Sequence, residues 1–208
     1  MARTNRVTPA STGFAALFLA LTMALTALVA APAAQAAPQL VLQGAQTSGS
    51  LPVVEGSYPK PNDGGQVFYI QRSTNPNTVV YASKVAGGQI DSSAPISAYW
   101  RRYGSNGAAK ALSGLERRVA YGVNAKAAGN GTYRVTFRAL PSKTMTLRMA
   151  DGRPALFTDT SKGEARMIYA YLDVKDGLIP QVTGLKMIGR LSSGQYITET
   201  YQVKGGAL

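Results

Sequence analysis

A strand–turn–strand pattern recurs along most of this chain and constrains its fold more than any other sequence feature. The clearest example is Gln66–Ser83. In its first arm, Phe68, Ile70 and Arg72 share one face, because successive side chains of a strand alternate between faces. The second arm, Thr78–Ala82, is β-branched and aromatic, and the polar Ser-Thr-Asn-Pro stretch between the arms favours a turn. The pattern predicts a β-hairpin.

Later segments repeat this pattern with one interruption. Asn130-Gly131 is a dipeptide favoured in type I′ hairpins, and alternating apolar and polar residues follow it. Ser113 and Glu116 have capping-box spacing, which predicts one short helix near 114–120, with Leu115 and Val119 on one side. Turn residues are closely spaced and no βαβ pattern repeats. We therefore expect an all-β fold: a single antiparallel β-barrel or barrel-like sandwich of about 8–10 strands with that short helix.

The N-terminal segment has the pattern of an export signal. Two arginines precede an uninterrupted apolar run, Phe14–Ala31, and Ala34-Gln35-Ala36 has the small-x-small pattern that signal peptidase accepts. The run is long enough to be a retained membrane anchor, but the cleavage pattern favours removal after Ala36. We expect a periplasmic or secreted mature protein that does not span a membrane. The expected parts are a signal helix at 1–36, a flexible segment at 37–65 and one β domain at 66–204.

The chain contains neither cysteine nor histidine. This composition excludes disulfides, thiolate metal sites, catalytic cysteines and Ser-His-Asp chemistry. We therefore expect no metal, no cofactor and no enzymatic activity. The remaining hypothesis for catalysis is a glycan hydrolase using Asp159 and Glu164, which flank a turn and could face each other across a hairpin. Exposed carboxylates are ordinary at such turns.

The positive charge is concentrated in one region. The formal net charge is +12, and between Arg101 and Arg153 eleven Lys and Arg residues stand against only Glu116 and Asp151. The simplest interpretation is a solvated basic face. The alternative is a surface that binds anionic envelope polymers or lipids; nothing indicates specific nucleic-acid binding. The candidate anion-binding residues are Arg117, Arg118, Arg134 and Arg138.

An aromatic and basic cluster surrounds Trp100, the single tryptophan. Alternation places Trp100 on an apolar face and directs Arg101 to the other face, where it could contact a partner. Arg102 shares the apolar face and would need a polar partner if buried. The candidate ligand-binding residues are Tyr99, Trp100, Arg101, Arg102 and Tyr121.

The leading functional hypothesis is a non-enzymatic binding module. A small β-barrel can hold one small apolar or amphipathic ligand. The side chains expected to line its interior are Tyr69, Tyr81, Trp100, Tyr169 and Tyr171.

Several short motifs resemble a family of exported bacterial domains known as domain of unknown function 4833. The matching stretches are Phe68-Tyr69-Ile70-Gln71-Arg72-Ser73, Asn77-Thr78-Val79-Val80-Tyr81, Pro95-Ile96, Tyr99-Trp100 and Ala120-Tyr121-Gly122. The resemblance runs from about Gln66 to Gln202. It implies an exported single domain and adds no activity or catalytic residue.

The export pattern predicts a mature N-terminus at Ala37, because cleavage is expected directly after Ala34-Gln35-Ala36. N-terminal sequencing of the protein recovered from the envelope or medium checks this. Membrane-bound protein that still carries Phe14–Ala31 would contradict the prediction.

Overall fold

The computed structural model describes residues 39–54, 58–175 and 181–204. The expected signal helix at 1–36 lies outside the described residues. Within the described part of the chain, no helix has the length and apolarity needed to cross a membrane.

The described residues form fourteen strands and one short helical segment. The strands are β1 (Gln39–Ser48), β2 (Gln66–Arg72), β3 (Asn75–Ala82), β4 (Val85–Ala86), β5 (Gln89–Ile90), β6 (Ser97–Arg101), β7 (Ala109–Ala111), β8 (Val123–Gly129), β9 (Thr132–Phe137), β10 (Leu140–Ala150), β11 (Arg153–Thr160), β12 (Gly163–Lys175), β13 (Gln181–Leu191) and β14 (Tyr196–Lys204). Helix α1 (Gly114–Glu116) continues directly into a π-helical stretch, Arg117–Tyr121, and the two together are called the helical turn.

The predicted all-β class is confirmed, and the main sheet curls into a half-barrel. Twelve described strands belong to this sheet, more than the expected eight to ten. Three strands had no clear sequence signal: β1 lies in the segment expected to be flexible, and β7 and β8 are composed mainly of Ala, Gly, Asn and Lys, which are depleted in strands.

The long strand β12 connects the branches of the sheet. Along one edge it pairs with β13, which continues through β14 to β1. Its other edge is divided: the first part pairs antiparallel with β11, and Tyr169–Leu172 pairs in parallel with Tyr69–Arg72 of β2. From β11 the sheet continues through β10 and β9 to β8, and from β2 through β3 and β6 to β7.

Two features of the topology refine the expected antiparallel barrel. The β2–β3 hairpin forms as predicted, but β2 and β12 run parallel. In addition, β1, β7 and β8 each pair with one neighbour within the described residues, so the sheet remains open.

The concave side of the sheet holds the main hydrophobic core. Phe68, Tyr81 and Phe137 pack together, with ring centroids 5.4 Å apart for Phe68–Phe137 and 4.7 Å apart for Tyr81–Phe137. The Tyr81 hydroxyl donates a 3.0 Å hydrogen bond to the Tyr121 carbonyl, which ties the helical turn to this core. Trp100 is also buried there, as its alternation predicted.

A second, smaller cluster covers the opposite side of β2, β12 and β13. It contains Tyr69, Tyr169, Tyr171 and Ile188. Tyr69 and Tyr169 stack with their centroids 5.0 Å apart. The expectation that Tyr69, Tyr169 and Tyr171 line the interior is therefore wrong: they alternate with the core residues Ile70, Ala170 and Leu172.

The segment 37–65 is structured where it is described, which corrects the expected tether. β1 pairs with β14 over ten residues with one register shift. Residues 49–54 and 58–65, called the N-terminal arm, then pass beside the tyrosine cluster. The Tyr169 hydroxyl donates to Pro52 O at 2.9 Å, and Asp63 accepts hydrogen bonds from Tyr99 and Arg101. These contacts span 36 to 117 residues in sequence, so local composition did not indicate them.

Asp63 and Arg101 form the main polar contact between the arm and β6. Both carboxylate oxygens accept from the Arg101 guanidinium, and Arg101 Nη1 also donates to Gly107 O at 3.1 Å. The hydrogen bond from Arg101 is the largest influence on the Asp63 carboxyl and holds its pKa below the usual value, against the opposing effect of burial.

Replacing Asp63 with Asn should lower the melting temperature at pH 7 by about 2–4 °C, because the charged pair between arm and sheet is lost. The Asp63 contribution is present above its unfolded pKa, near 3.8, and disappears as pH falls through its lower folded pKa. The melting temperatures of the parent and of Asp63→Asn should therefore become equal at acid pH, which thermal unfolding measures.

Asp151→Asn is the matched control, since Asp151 is 91% exposed and its nearest Arg166 nitrogen is 3.7 Å away. Its melting temperature should equal that of the parent at pH 7 and at acid pH. A difference in melting temperature between the parent and Asp63→Asn that stayed constant down to pH 2 would contradict the role assigned to the Asp63 charge.

Candidate functional site

The helical turn lies against one end of the core and is fixed by hydrogen bonds from its first residues. Glu116 N donates to Ser113 Oγ at 3.2 Å and Ser113 N donates to Glu116 Oε2 at 2.7 Å, so the predicted capping box forms. The other Glu116 oxygen accepts a 3.0 Å bond from Trp100 Nε1. Burial alone would raise the Glu116 pKa, but the bonds from Ser113 and Trp100 hold it below its usual value.

The end of the helical turn requires glycine at position 122. A Cβ on Gly122 would lie 2.0 Å from the Arg117 carbonyl oxygen, well inside van der Waals contact. Gly122 therefore lets the chain turn closely from Tyr121 into β8. This close approach explains the glycine in the Ala120-Tyr121-Gly122 motif.

A small pocket opens where the helical turn meets the ends of the strands. Its volume is about 50 Å³, and its lining residues are Arg72, Ala120, Tyr121, Ala139, Leu172, Val174 and Val182. Five of these are aliphatic. The arginine and tyrosine supply its polar groups, so the pocket combines an apolar wall with a small number of hydrogen-bond donors.

Arg72 is the charged residue of the pocket. It ends β2 on the face that carries Phe68 and Ile70, and its guanidinium carbon lies 5.4 Å from the Trp100 ring centroid. Its Nε atom is buried and has no hydrogen-bond partner among the described residues. A buried donor without an acceptor costs free energy, so an acceptor that reached this atom would stabilise the site.

Tyr121 borders Arg72 and is 8% exposed. Its ring meets the Trp100 ring edge to face, with centroids 5.0 Å apart. Burial raises the pKa of the Tyr121 phenol, and the neighbouring Arg72 partly opposes that rise. At neutral pH the phenol therefore keeps its proton.

The structure divides the predicted ligand-binding residues between two sides of the sheet. Tyr121 lines the pocket, and Trp100 packs against Tyr121 and Arg72 without lining it, whereas Tyr99 and Arg101 contact Asp63 on the opposite side. Alternation along β6 predicted that division, but the identity of Asp63 as partner was not predicted. The proposal that Arg101 is available for partner contact is corrected, because its guanidinium is occupied by Asp63 and Gly107.

Arg102 and Arg72 depart from the sequence analysis in opposite ways. Arg102 is half-buried beyond the end of β6, so the alternation that placed it on the apolar face stops before it. Arg72 was not selected as a site residue. The available indication was its shared face with Phe68 and Ile70, since an arginine in register with core residues requires a partner.

The four predicted anion-binding arginines are all exposed, and Lys126 stands directly opposite Arg134 across the β8–β9 ladder. We call these five residues the basic face: Arg117, Arg118, Lys126, Arg134 and Arg138. Within the described part of the chain, none of the five forms an ion pair. They are separate from the pocket lining.

The two carboxylates of the alternative hydrolase hypothesis face each other but are arranged as surface groups. Asp159 is the register partner of Glu164, as predicted. Glu164 accepts bonds of 2.9 and 2.6 Å from Arg148, and this contact holds the Glu164 pKa below its usual value. The Glu164 side chain is 46% exposed.

The buried carboxylate that the sequence analysis missed is Glu199, which is 2% exposed. It accepts hydrogen bonds from the Tyr201 hydroxyl and from Ser161 N, and Lys143 Nζ lies 3.8 Å away. Burial opposes ionisation of Glu199, but these partners hold its pKa below the usual value. Its satisfied surroundings indicate a structural contact. No cluster of acidic side chains suited to a metal occurs among the described residues.

Comparison with known proteins supports the resemblance found in the sequence. A family model described as Domain of unknown function (DUF4833) matches residues 68–200, from β2 into β14. The match therefore includes Arg72, Trp100 and Tyr121. No curated protein and no solved structure matches the chain.

Gly122→Ala should strongly destabilise the protein or displace the helical turn, because the new methyl group would overlap the Arg117 carbonyl. Thermal unfolding and the emission maximum of Trp100 measure the two effects. Gly114→Ala is the matched control, since a Cβ there meets nothing within 4 Å and Ala favours helix. Equal melting temperatures for the two variants would contradict the close approach at Gly122.

Proposed function

The chain belongs to the DUF4833 family, and from its pocket we propose that it is an exported, non-enzymatic binding module for a small amphipathic anion. The buried, unpaired Nε of Arg72 beside an apolar pocket carries this proposal. The exported location rests on the N-terminal sequence pattern.

The surroundings of Arg72 favour an anionic group of planar or tetrahedral shape. A guanidinium has five N–H donors in a fixed fork and pairs well with carboxylate or phosphate oxygens. The Trp100 ring provides a cation–π contact that limits where this fork can lie. A ligand oxygen reaching Nε would satisfy the donor that the protein leaves without a partner.

The size and lining of the pocket limit the rest of the ligand. A volume of about 50 Å³ is far below the roughly 300–1,000 Å³ typical of sites for drug-sized molecules. Leu172, Val174 and Val182 offer an aliphatic wall with no hydrogen-bonding side chain. The pocket is large enough for a carboxylate and its first carbons only, so the ligand we propose is a short-chain organic acid whose remaining carbons extend beyond the pocket mouth.

The groups near the pocket support binding without catalysis. Tyr121 keeps its proton because burial raises its pKa, and Glu116 is engaged by Ser113 and Trp100. Neither arrangement offers a free general base beside the pocket, which general acid–base chemistry requires. We therefore keep the non-enzymatic hypothesis.

Hexanoate should bind the protein, and hexanol should bind much more weakly, because only hexanoate can form a charge-assisted hydrogen bond with Arg72. Arg72→Met should weaken hexanoate binding about 10- to 100-fold, the loss typical of a charged hydrogen bond. Calorimetry measures the affinities, and Trp100 fluorescence reports occupancy beside the ring.

Arg138→Met is the matched control, since Arg138 is exposed and directly precedes Ala139 of the pocket lining. Its hexanoate affinity should equal that of the parent. Equal hexanoate binding by the parent and Arg72→Met would refute the assigned role of Arg72, and equal binding of hexanol and hexanoate would indicate an apolar ligand.

A further inference from the structure

The basic face extends as one surface from β8 and β9 to the helical turn. Arg134 lies on β9 and Arg138 directly follows the last residue of that strand, and both side chains are exposed. Arg138 Cγ lies 3.4 Å from the position of a Cβ on Gly122, and the Arg117 carbonyl meets that same position. The backbone of the helical turn at Arg117 therefore lies beside the Arg138 side chain.

Like charges face each other within this surface. Lys126 and Arg134 are direct register partners, and direct like-charge pairs destabilise a sheet. No acidic residue occurs in β8 or β9 to offset them. An anionic partner would remove this repulsion, so the arrangement favours association with negative charge.

Leu115 adds an apolar side chain beside the basic face. It is 62% exposed. The capping box and the Glu116–Trp100 bond direct the opposite side of the helical turn inward. An exposed leucine two residues before Arg117 and three before Arg118 is suited to a surface that offers both phosphates and hydrocarbon.

From these observations we propose that the basic face and Leu115 dock the protein on an anionic lipid surface. The arginines and Lys126 contact lipid phosphates, and Leu115 enters the interface between head groups and acyl chains. A soluble polyanion offers the same charge but no apolar phase for Leu115. This role is independent of the pocket, since the pocket lining includes none of these residues.

The test compares vesicle binding of the exported protein to phosphatidylcholine alone and to phosphatidylcholine mixed with phosphatidylglycerol. The parent should sediment with the mixed vesicles, and its binding should fall steeply with salt, as expected for several phosphate contacts. Every variant carries the same N-terminus, so binding to phosphatidylcholine alone measures any contribution of that segment.

Two variants divide the docking surface into its parts. Arg117→Ser/Arg118→Ser should weaken binding about 25-fold, since each basic residue near such a membrane contributes about fivefold. Leu115→Ser should also weaken binding.

Arg153→Ser/Lys162→Ser is the charge-matched control, because both residues are exposed in hairpins outside the basic face. This control variant should bind the vesicles as tightly as the parent does. Unchanged Trp100 emission verifies folding.

Three results would overturn the proposal. The first is equal binding of the parent to both vesicle types. The second is an equal loss of vesicle binding in the Arg153→Ser/Lys162→Ser control and in the Arg117→Ser/Arg118→Ser variant. That result would mean that binding depends on net charge alone. The third is undiminished binding of Leu115→Ser together with full competition by soluble polyphosphate or duplex DNA, which would assign the face to a soluble polyanion.

Discussion

The parallel pairing of β2 with β12 determines how the rest of the sheet is arranged. Tyr169, Ala170, Tyr171 and Leu172 are all buried, because core packs on one side of β12 and the tyrosine cluster on the other. Such continuous burial is typical of a strand inside a parallel pairing. One strand thus supports the half-barrel core, its outer aromatic cluster and both branches of the sheet.

The same pairing builds the candidate site. The register places Arg72 beside Leu172, and Ser73 N donates to Leu172 O at 2.9 Å while Val174 N donates to Ser73 Oγ at 2.9 Å. The ends of β2 and β12 are therefore held together, and the guanidinium of Arg72 lies with Leu172 and Val174 at the pocket. The helical turn completes the pocket through Tyr121.

Local features of the sequence predicted local structure well. The capping box at Ser113, the positive φ angles at Asn130 and Gly131, and the core position of Trp100 all follow from short-range spacing. Alternation assigns side chains to faces but does not say which strand lies alongside or which face is covered. The β2–β12 pairing and the Asp63–Arg101 contact depend on residues far apart in sequence. For that reason, the sequence predicted Trp100 and Tyr121 as site residues but not Arg72.

The central claim is that the unpaired Arg72 Nε receives an anion at the pocket. Proton–nitrogen correlation spectra of the arginine Nε–H groups test it most directly, with the Arg72 signal assigned by its loss in Arg72→Lys. The account predicts that hexanoate shifts this signal downfield, as a new charged hydrogen bond does, and that hexanol leaves it in place. An Arg72 signal that stays unmoved at saturating hexanoate would contradict the account.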